Sequence, residues 1–444
     1  MRRLAPAWLS LTMVLGSAGS MALEIVAGRL MAPYVGMSLY SWTAIIAVVL
    51  AGLSAGHWLG GLLADRPGRA LARAAGAALL LAALGAGASL AILRATAGPI
   101  LSGLDPVPAM GAIALAAFFL PSLAAGVIAP LVTRLALDAA DPGRRGRVLG
   151  AMFALGAVGA ILGTVAAGFW LVPSLGSTAS VMAVALAYAA LAVPYLAGLG
   201  RALAGGVAGA AAFALLAPGQ VPALASPCLE ESAYFCVRID PMPGTGGARV
   251  MALDHLVHGV NDPRPGRLHA PYVQLVDEIV RRRVAGAPSA FFVGGGAYTL
   301  PRAWAARHED PEIVVAEIDP AVTRLAEERL WVEPDRFEIH HMDARLALSR
   351  LAPGRRFDVI LGDAFHDVAI PAHLVTDEFH ALVKRRLRPG GLYMVNVVEA
   401  RREPPFLLSF VRTLKRRFAP VELWLDTDSM GPGAARVTWL VVAS

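Results

Sequence analysis

Ser289-Ala290-Phe291-Phe292-Val293-Gly294-Gly295-Gly296-Ala297-Tyr298 decides how the second half of this 444-residue chain folds. A short apolar run breaks into three glycines, and a helical pattern resumes after Pro301. A buried parallel strand turning tightly into a helix reads this way. Glycine belongs where the backbone takes φ > 0 or where a ligand lies against it. Twenty-three residues past Gly294, the run Ile313-Val314-Val315-Ala316 ends in Glu317-Ile318-Asp319. An acid about 20 residues beyond a glycine turn is placed to hold the hydroxyls of a ribose. Three glycines alone are common in loops; with the acid they point to a nucleoside-binding α/β domain.

Further along, acids recur at strand ends. A third strand, Arg336–His340, leads to Met342-Asp343-Ala344, and a fourth, Phe357–Leu361, leads to Gly362-Asp363-Ala364-Phe365-His366-Asp367. A helix over about 374–387 should stop at Arg388-Pro389-Gly390-Gly391, with strands near 392–398, 421–426 and 436–443. The alternation predicts a doubly wound, Rossmann-like α/β domain over 271–444, with ligands at the carboxyl ends of its strands. There Glu317 can accept from ribose, Asp343 with the small Ala344 from an adenine amino group, and Asp363 lies nearest whatever reacts. Any one of these acids alone reads as a solvated carboxylate; three in succession favour the nucleoside reading.

Ahead of this domain, residues 221–270 read as a small β subdomain. Tyr234–Ile239 and Arg249–Leu253 bracket the turn-rich stretch from Pro241 to Gly247. Asp254-His255-Leu256-Val257-His258-Gly259 follows, then a helix carrying Tyr272. Cys228 and Cys236 are the only cysteines, and without nearby histidine pairs they make no zinc site. No metal is expected. Free thiols are favoured if this region is cytoplasmic; a disulfide is the alternative outside.

Residues 1–220 differ in kind. They hold 12 arginines, no lysine and 5 acidic residues, whereas the remainder holds 27 basic and 28 acidic ones. The basic balance therefore belongs to the first half, and the second lacks the one-signed surface that nucleic acid requires. Apolar runs of about 20 residues, enough to cross a bilayer, lie near 7–30, 41–64, 74–93, 109–132, 148–172 and 177–199, with a shorter one at 202–218. About seven helical membrane segments are thus expected. Glycines through 150–168 suit close helix packing in lipid. Arg66/Arg69/Arg73 and Arg134/Arg144/Arg145/Arg147 mark two loops that should face the cytoplasm. If 202–218 crosses, the second half lies outside; if it is interfacial or re-entrant, the second half is cytoplasmic. The cytoplasmic choice follows from the nucleoside. Glu24 and Arg29 are ionisable groups within the first segment, expected to pair with each other or with Asp65 or Arg66, or else to serve function. Gly60–Arg66 is similar to a loop of major-facilitator transporters, so a transporter with a nucleoside-binding domain is the reading from another class.

Taken together, Gly294-Gly295-Gly296, Glu317-Ile318-Asp319-Pro320, Asp343-Ala344, Asp363-Ala364 and Arg388-Pro389-Gly390-Gly391 resemble the spermidine synthase family of polyamine aminopropyltransferases. Residues 249–258 and Tyr272 match the strand and tyrosine that precede the turn. The resemblance covers about 230–444 and is closer still to bacterial proteins in which such a domain follows a multi-helix membrane domain. It implies a decarboxylated S-adenosylmethionine donor, attack by putrescine on its propylamine carbon, and release of methylthioadenosine. Carried over by position, it implies that Gly294, Gly295, Gly296, Glu317, Asp319, Asp343 and Ala344 bind the donor. Asp363 would orient or deprotonate the attacking amine beside Tyr272, and His258, Ala297, Tyr298, His366 and Asp367 would face the substrate. The fold's relatives imply a homodimer, and the whole implies a multi-pass protein of the inner membrane.

The departures from that family shape the alternatives. Ala297 stands where the family has an aspartate gripping the propylamine, and Val273-Gln274 replaces His-Glu after the tyrosine. Asp-Ser-Ser-Asp-Pro becomes Asp363-Ala364-Phe365-His366-Asp367. Fewer carboxylates mean poorer binding of a diamine, because an ammonium leaving water needs a partner. The same losses relieve repulsion of a donor carboxylate. A cyclase or lyase acting on intact S-adenosylmethionine is therefore the alternative, and a methyltransferase the third option.

Overall fold

The structure is a computed structural model describing residues 5–196, 224–365, 369–425 and 436–444. It divides into two compact units, Met1–Cys236 and Val237–Ser444. The sequence-expected segment at 202–218 lies outside the described residues. So do His366 and Asp367.

In the first unit the apolar runs form α1 (Pro6–Val35), α2 (Leu39–Leu63), α3 (Gly68–Gly103), α4 (Pro106–Ala139), α5 (Arg145–Ala166) and α6 (Val172–Leu196). Among the described residues five helical stretches are long and apolar enough to cross a membrane. The last of these, Pro142–Leu196, reverses at Gly176, whose φ is +77°. Large apolar side chains point outward, with Trp58 70% and Phe169 84% exposed, a pattern that suits lipid and not water.

Small residues set how these helices pack. A Cβ on Gly56 of α2 would lie 2.1 Å from the Leu123 carbonyl of α4, and Gly52 and Gly60 make the same approach one turn away on either side. On α5, a Cβ on Gly159 or Gly163 would meet the Val14 or Ala18 carbonyl of α1 at 2.2 or 2.0 Å. The expected close packing is present at Gly159 and Gly163, where only backbone without side chain allows it, but not at Gly150 or Gly168, where a Cβ would meet nothing within 4 Å.

The pairing expected within the first segment is corrected. Arg29 donates instead to the carbonyls of Tyr234 (2.7 Å) and Ser232 (2.8 Å), while Glu24 Oε2 has no hydrogen-bond partner among the described residues. The free-thiol expectation also fails: Cys228 and Cys236 form a disulfide, their Cα atoms 5.3 Å apart. The residues between them double back, with Ser232 N–H donating to the Phe235 carbonyl, which brings two cysteines eight residues apart within bridging distance.

The second unit begins with an antiparallel meander, β1 (Cys236–Pro241), β2 (Arg249–Leu253) and β3 (Leu256–Asn261). Then follow α7 (Pro271–Arg283), β4 (Ala290–Val293), α8 (Thr299–Arg307), β5 (Ile313–Ala316), α9 (Pro320–Leu330), β6 (Glu338–His340), α10 (Ala344–Arg350), β7 (Phe357–Gly362), α11 (Asp377–Arg386), β8 (Leu387–Ala400), α12 (Pro405–Leu414), β9 (Val421–Leu425) and β10 (Arg436–Ala443). Seven strands make one sheet in the order β9-β10-β8-β7-β4-β5-β6. Its five strands from β8 to β6 are parallel, and β10 and β9 are antiparallel. This is the expected Rossmann-like topology, and β4, buried along its whole length, is the middle one of the five parallel strands.

One face of the sheet buries Phe291, Val314, Phe357 and Ile360 against Leu348, Phe379, Val383, Leu407 and Phe410 of the following helices. Burying one such side chain contributes about 1.5–3 kcal/mol. The expected helix end at Arg388–Gly391 is shifted: α11 stops at Arg386, and Arg388–Gly391 interrupts the pairing of β7 with β8. The meander is tied to the centre of the domain by Arg302 of α8, which donates to the carbonyls of Asp262, Pro263 and Trp331. Asn261 donates to the Ala297 carbonyl, so the end of β3 is held against the glycine turn.

Candidate active site

The glycine turn grows from β4, where backbone pairing continues past the strand: Gly294 N–H donates to the Ala316 carbonyl and Asp363 N–H to the Val293 carbonyl. Gly294 has φ +99°, and a Cβ there would lie 2.7 Å from the Asp363 carbonyl. Both facts require glycine. The turn therefore lies directly beside the end of β7.

Glu317, at the end of β5, is 5% exposed and faces that turn. Its Oε2 accepts from the N–H groups of Gly295 (2.8 Å) and Gly296 (3.2 Å), and its Oε1 from Asp319 N–H (3.0 Å). Burial raises its pKa, against which the three backbone donors act. Asp319 caps α9 through Ala321 N–H (3.0 Å). Asp343 caps α10 through Leu346 N–H (3.0 Å), and its other oxygen lies 2.6 Å from His373 Nε2. The two acids thus hold helix starts while remaining at strand ends, a use the sequence reading did not assign.

Asp363 is the centre of a second cluster. Tyr272 donates its hydroxyl to Oδ2 at 2.9 Å, and Asn396 of β8 donates to Oδ1 at 2.8 Å. Burial raises the pKa of Asp363 from the usual carboxylate range, and the two donors oppose that rise. The Tyr272 hydroxyl is likewise pushed up, by burial and then by the Asp363 charge. A cavity of about 30 Å³ opens here, lined by Asp363, Tyr272, His258, Gly294, Gly295, Ala297, Thr299 and Pro301 among others. Burial, then the neighbouring His255, lowers the His258 pKa to about 4, so the ring is neutral at pH 7.

The structure thus brings together Asp363, Tyr272, His258, Ala297, Gly294 and Gly295, with Gly296 and Glu317 on the adjoining side of the turn. It does not bring Tyr298 to the cavity. That ring is fully buried, stacks on Phe337 at 6.1 Å, and its hydroxyl lies 2.7 Å from Thr323 Oγ1. Ala344 is buried at the start of α10. Asn396 and Thr299 were missed. Asn396 is a polar residue within the apolar run Leu392–Val398, 6% exposed, and its own Oδ1 has no hydrogen-bond partner among the described residues. An unpaired polar residue in such a run is the only sequence signal it leaves.

No family model matches the chain. The chain is 30% identical over 158 residues to a polyamine aminopropyltransferase of Vibrio vulnificus, covering 34% of this chain and 49% of that one. It is 34% identical over 111 residues to a probable polyamine aminopropyl transferase of Bifidobacterium longum, covering 25% and 24%. The match spans about half the length of the first relative and about a quarter of the second. Among solved structures, a probable spermidine synthase from Corynebacterium glutamicum is similar with a TM-score of 0.43 and 23% identity, over 48% of this chain and 77% of that one. By these relationships, part of the chain is similar in sequence to polyamine aminopropyltransferases.

Proposed function

We propose that the second unit is an aminopropyltransferase-type enzyme acting on S-adenosylmethionine or its decarboxylated form. An amine attacks the propyl carbon next to the sulfonium. The carbon–nitrogen bond forms, the carbon–sulfur bond breaks with its electron pair passing to sulfur, and methylthioadenosine leaves as a neutral thioether. The proton shed by the new ammonium passes to Asp363. The observation that carries this reading is the Asp363 cluster, a buried carboxylate at a strand end beside the glycine turn, oriented from both sides by Tyr272 and Asn396.

Burial that raises the Asp363 pKa makes it a stronger base toward an ammonium. A neutral His258 adds no repulsion to a cationic acceptor. Glu317 retains acceptor capacity for a ribose hydroxyl, since three backbone donors use about three of its roughly four lone-pair sites. Asp343 is assigned the adenine amino group, and His366 and Asp367 the acceptor side.

One observation favours a second reading. Ala297 is 1% exposed and packs its Cβ against Gly259, so no carboxylate stands where a decarboxylated donor's ammonium would need one. Intact S-adenosylmethionine could then react with its own amine or carboxylate, as in a cyclase or lyase. Detergent-purified full-length protein is incubated with each donor, with and without putrescine, and the products are weighed by mass spectrometry. Methylthioadenosine that depends on a diamine supports aminopropyl transfer. Methylthioadenosine from intact donor alone supports the second reading. Adenosylhomocysteine, or no turnover, sinks both.

A further inference from the structure

The two ends of the helical bundle are distinguishable by residue pairs. At one end, the Tyr195 hydroxyl of α6 donates to Thr12 of α1 at 2.9 Å, and Leu196 lies against Gly76 of α3. This is the end of the arginine-bearing connections, with Arg66 between α2 and α3 and Arg69 in the first turn of α3, and Arg144 between α4 and α5 and Arg145 opening α5. At the other end, Arg94 of α3 donates to Thr178 of α6 at 2.9 Å, and Gly28 of α1 meets Trp42 of α2. Seventeen residues of helix separate Thr12 from Arg29, about 25 Å of rise. That is close to a bilayer's hydrocarbon thickness.

The segment carrying the disulfide sits at this second end. Arg29 holds the Ser232 and Tyr234 carbonyls, and Glu231 accepts from Ser177 N–H at 2.7 Å and from the Ser226 hydroxyl at 2.9 Å. The chain therefore leaves the arginine end at Leu196 and stands at the opposite end by Ser226. Arginine-rich connections face the cytoplasm, and disulfides persist in oxidising compartments. Two independent observations thus agree.

We infer that residues 237–444 face the non-cytoplasmic side of the membrane, contrary to the orientation expected from the sequence. Beyond Cys236 the described residues offer no second crossing: the one further apolar helix, Pro405–Leu414, has 10 residues. The inference does not rest on the reaction proposed above. It does set that reaction's supply: a sulfonium nucleoside used on this side is delivered by a transport step or arrives from outside.

The test uses the full-length protein in intact cells. Glu309, exposed two residues past the end of α8 and away from the cavity, is changed to cysteine in a Cys228→Ser, Cys236→Ser background. A membrane-impermeant maleimide is expected to label it to the same extent before and after lysis. Labelling only after lysis overturns the inference. In the otherwise native chain, Cys228 and Cys236 should resist a thiol reagent in denaturant unless first reduced, and should become reactive when intact cells are treated with an impermeant reductant. Free thiols without reduction would remove the second line of support and also count against the inference. Methylthioadenosine assays on purified protein are read separately, so an inactive site and a wrong orientation cannot be confused.

Discussion

Glycine serves opposite ends in the two halves of this molecule. At Gly56 the backbone stays helical and the missing side chain lets α2 lie against the Leu123 carbonyl of α4. At Gly294 the backbone leaves every conformation open to ordinary residues, with φ +99°, and the missing side chain makes room for the Asp363 carbonyl. Lipid offers no hydrophobic gain for joining two apolar helices, so closeness itself holds the bundle together. In water the buried face around Phe291 and Phe357 supplies cohesion, and glycine is free to shape a turn. Loss of the first kind of glycine should be read in stability, and damage near the second in chemistry.

The largest expected effect breaks the chemistry alone. Asp363→Asn keeps the Tyr272 and Asn396 neighbourhood but removes the proposed base, and should lower turnover by about 10²–10⁴-fold. Nucleoside affinity, measured by calorimetry, should stay near wild type; a parallel loss of affinity would show that the carboxylate positions the donor instead. Next comes Gly56→Ala, which must push two helix backbones apart and should cost about 1–3 kcal/mol. It should appear as a lower melting temperature in detergent, with no effect on nucleoside affinity of the folded fraction. The smallest effect belongs to Gly61→Ala, five residues on, where a Cβ meets nothing within 4 Å. Helix propensity predicts a gain of up to about 1 kcal/mol there, and a loss comparable to that at Gly56 would refute the close-approach explanation.

Between these lies a pH effect. Burial raises the Asp363 pKa, and if Asp363 is the base it must be deprotonated, so turnover should fall on the acid side at a higher pH than for an exposed carboxylate. Asn396→Leu removes a donor that opposes the rise. The acid limb of kcat/KM should move upward by about one unit or more, as expected for a hydrogen bond to a charged group worth about 1.5–3 kcal/mol. Stability carries the opposite sign. A carboxyl with a raised folded-state pKa contributes below its unfolded value and loses that contribution as pH rises through the folded one. An unmoved acid limb would leave Asn396 a packing residue.

What the sequence disclosed was local. The strand of Ala290–Val293, the turn and Glu317 lie within a window where apolar runs, glycines and acids follow one another in order. Asn396 was illegible because its meaning comes from register: Gly362 pairs with Val395, which sets Asp363 beside Asn396 across two strands. Tyr298 misled for the reverse reason, being next to the turn in sequence while its ring goes to Phe337 and Thr323. The disulfide depended on how residues 228–236 fold back, which two cysteines and a spacing do not specify. Arg29 found its partners more than 200 residues away, beyond any pattern within its own segment.

Glu317 accepts two of its three bonds from peptide groups of the very turn that a nucleoside would have to meet, and the third from Asp319 N–H. Glu317 is therefore not left without partners, and it helps hold the turn in shape. A ribose hydroxyl arriving there would gain at most about one bond, at the lone-pair site the backbone leaves free. Heats of binding should accordingly be small for the ribose portion, and discrimination must come from elsewhere in the ligand. Under the reaction proposed above, selectivity would be set at the far end of the donor, beside Ala297 and Asp363, and the sugar would act chiefly as a handle.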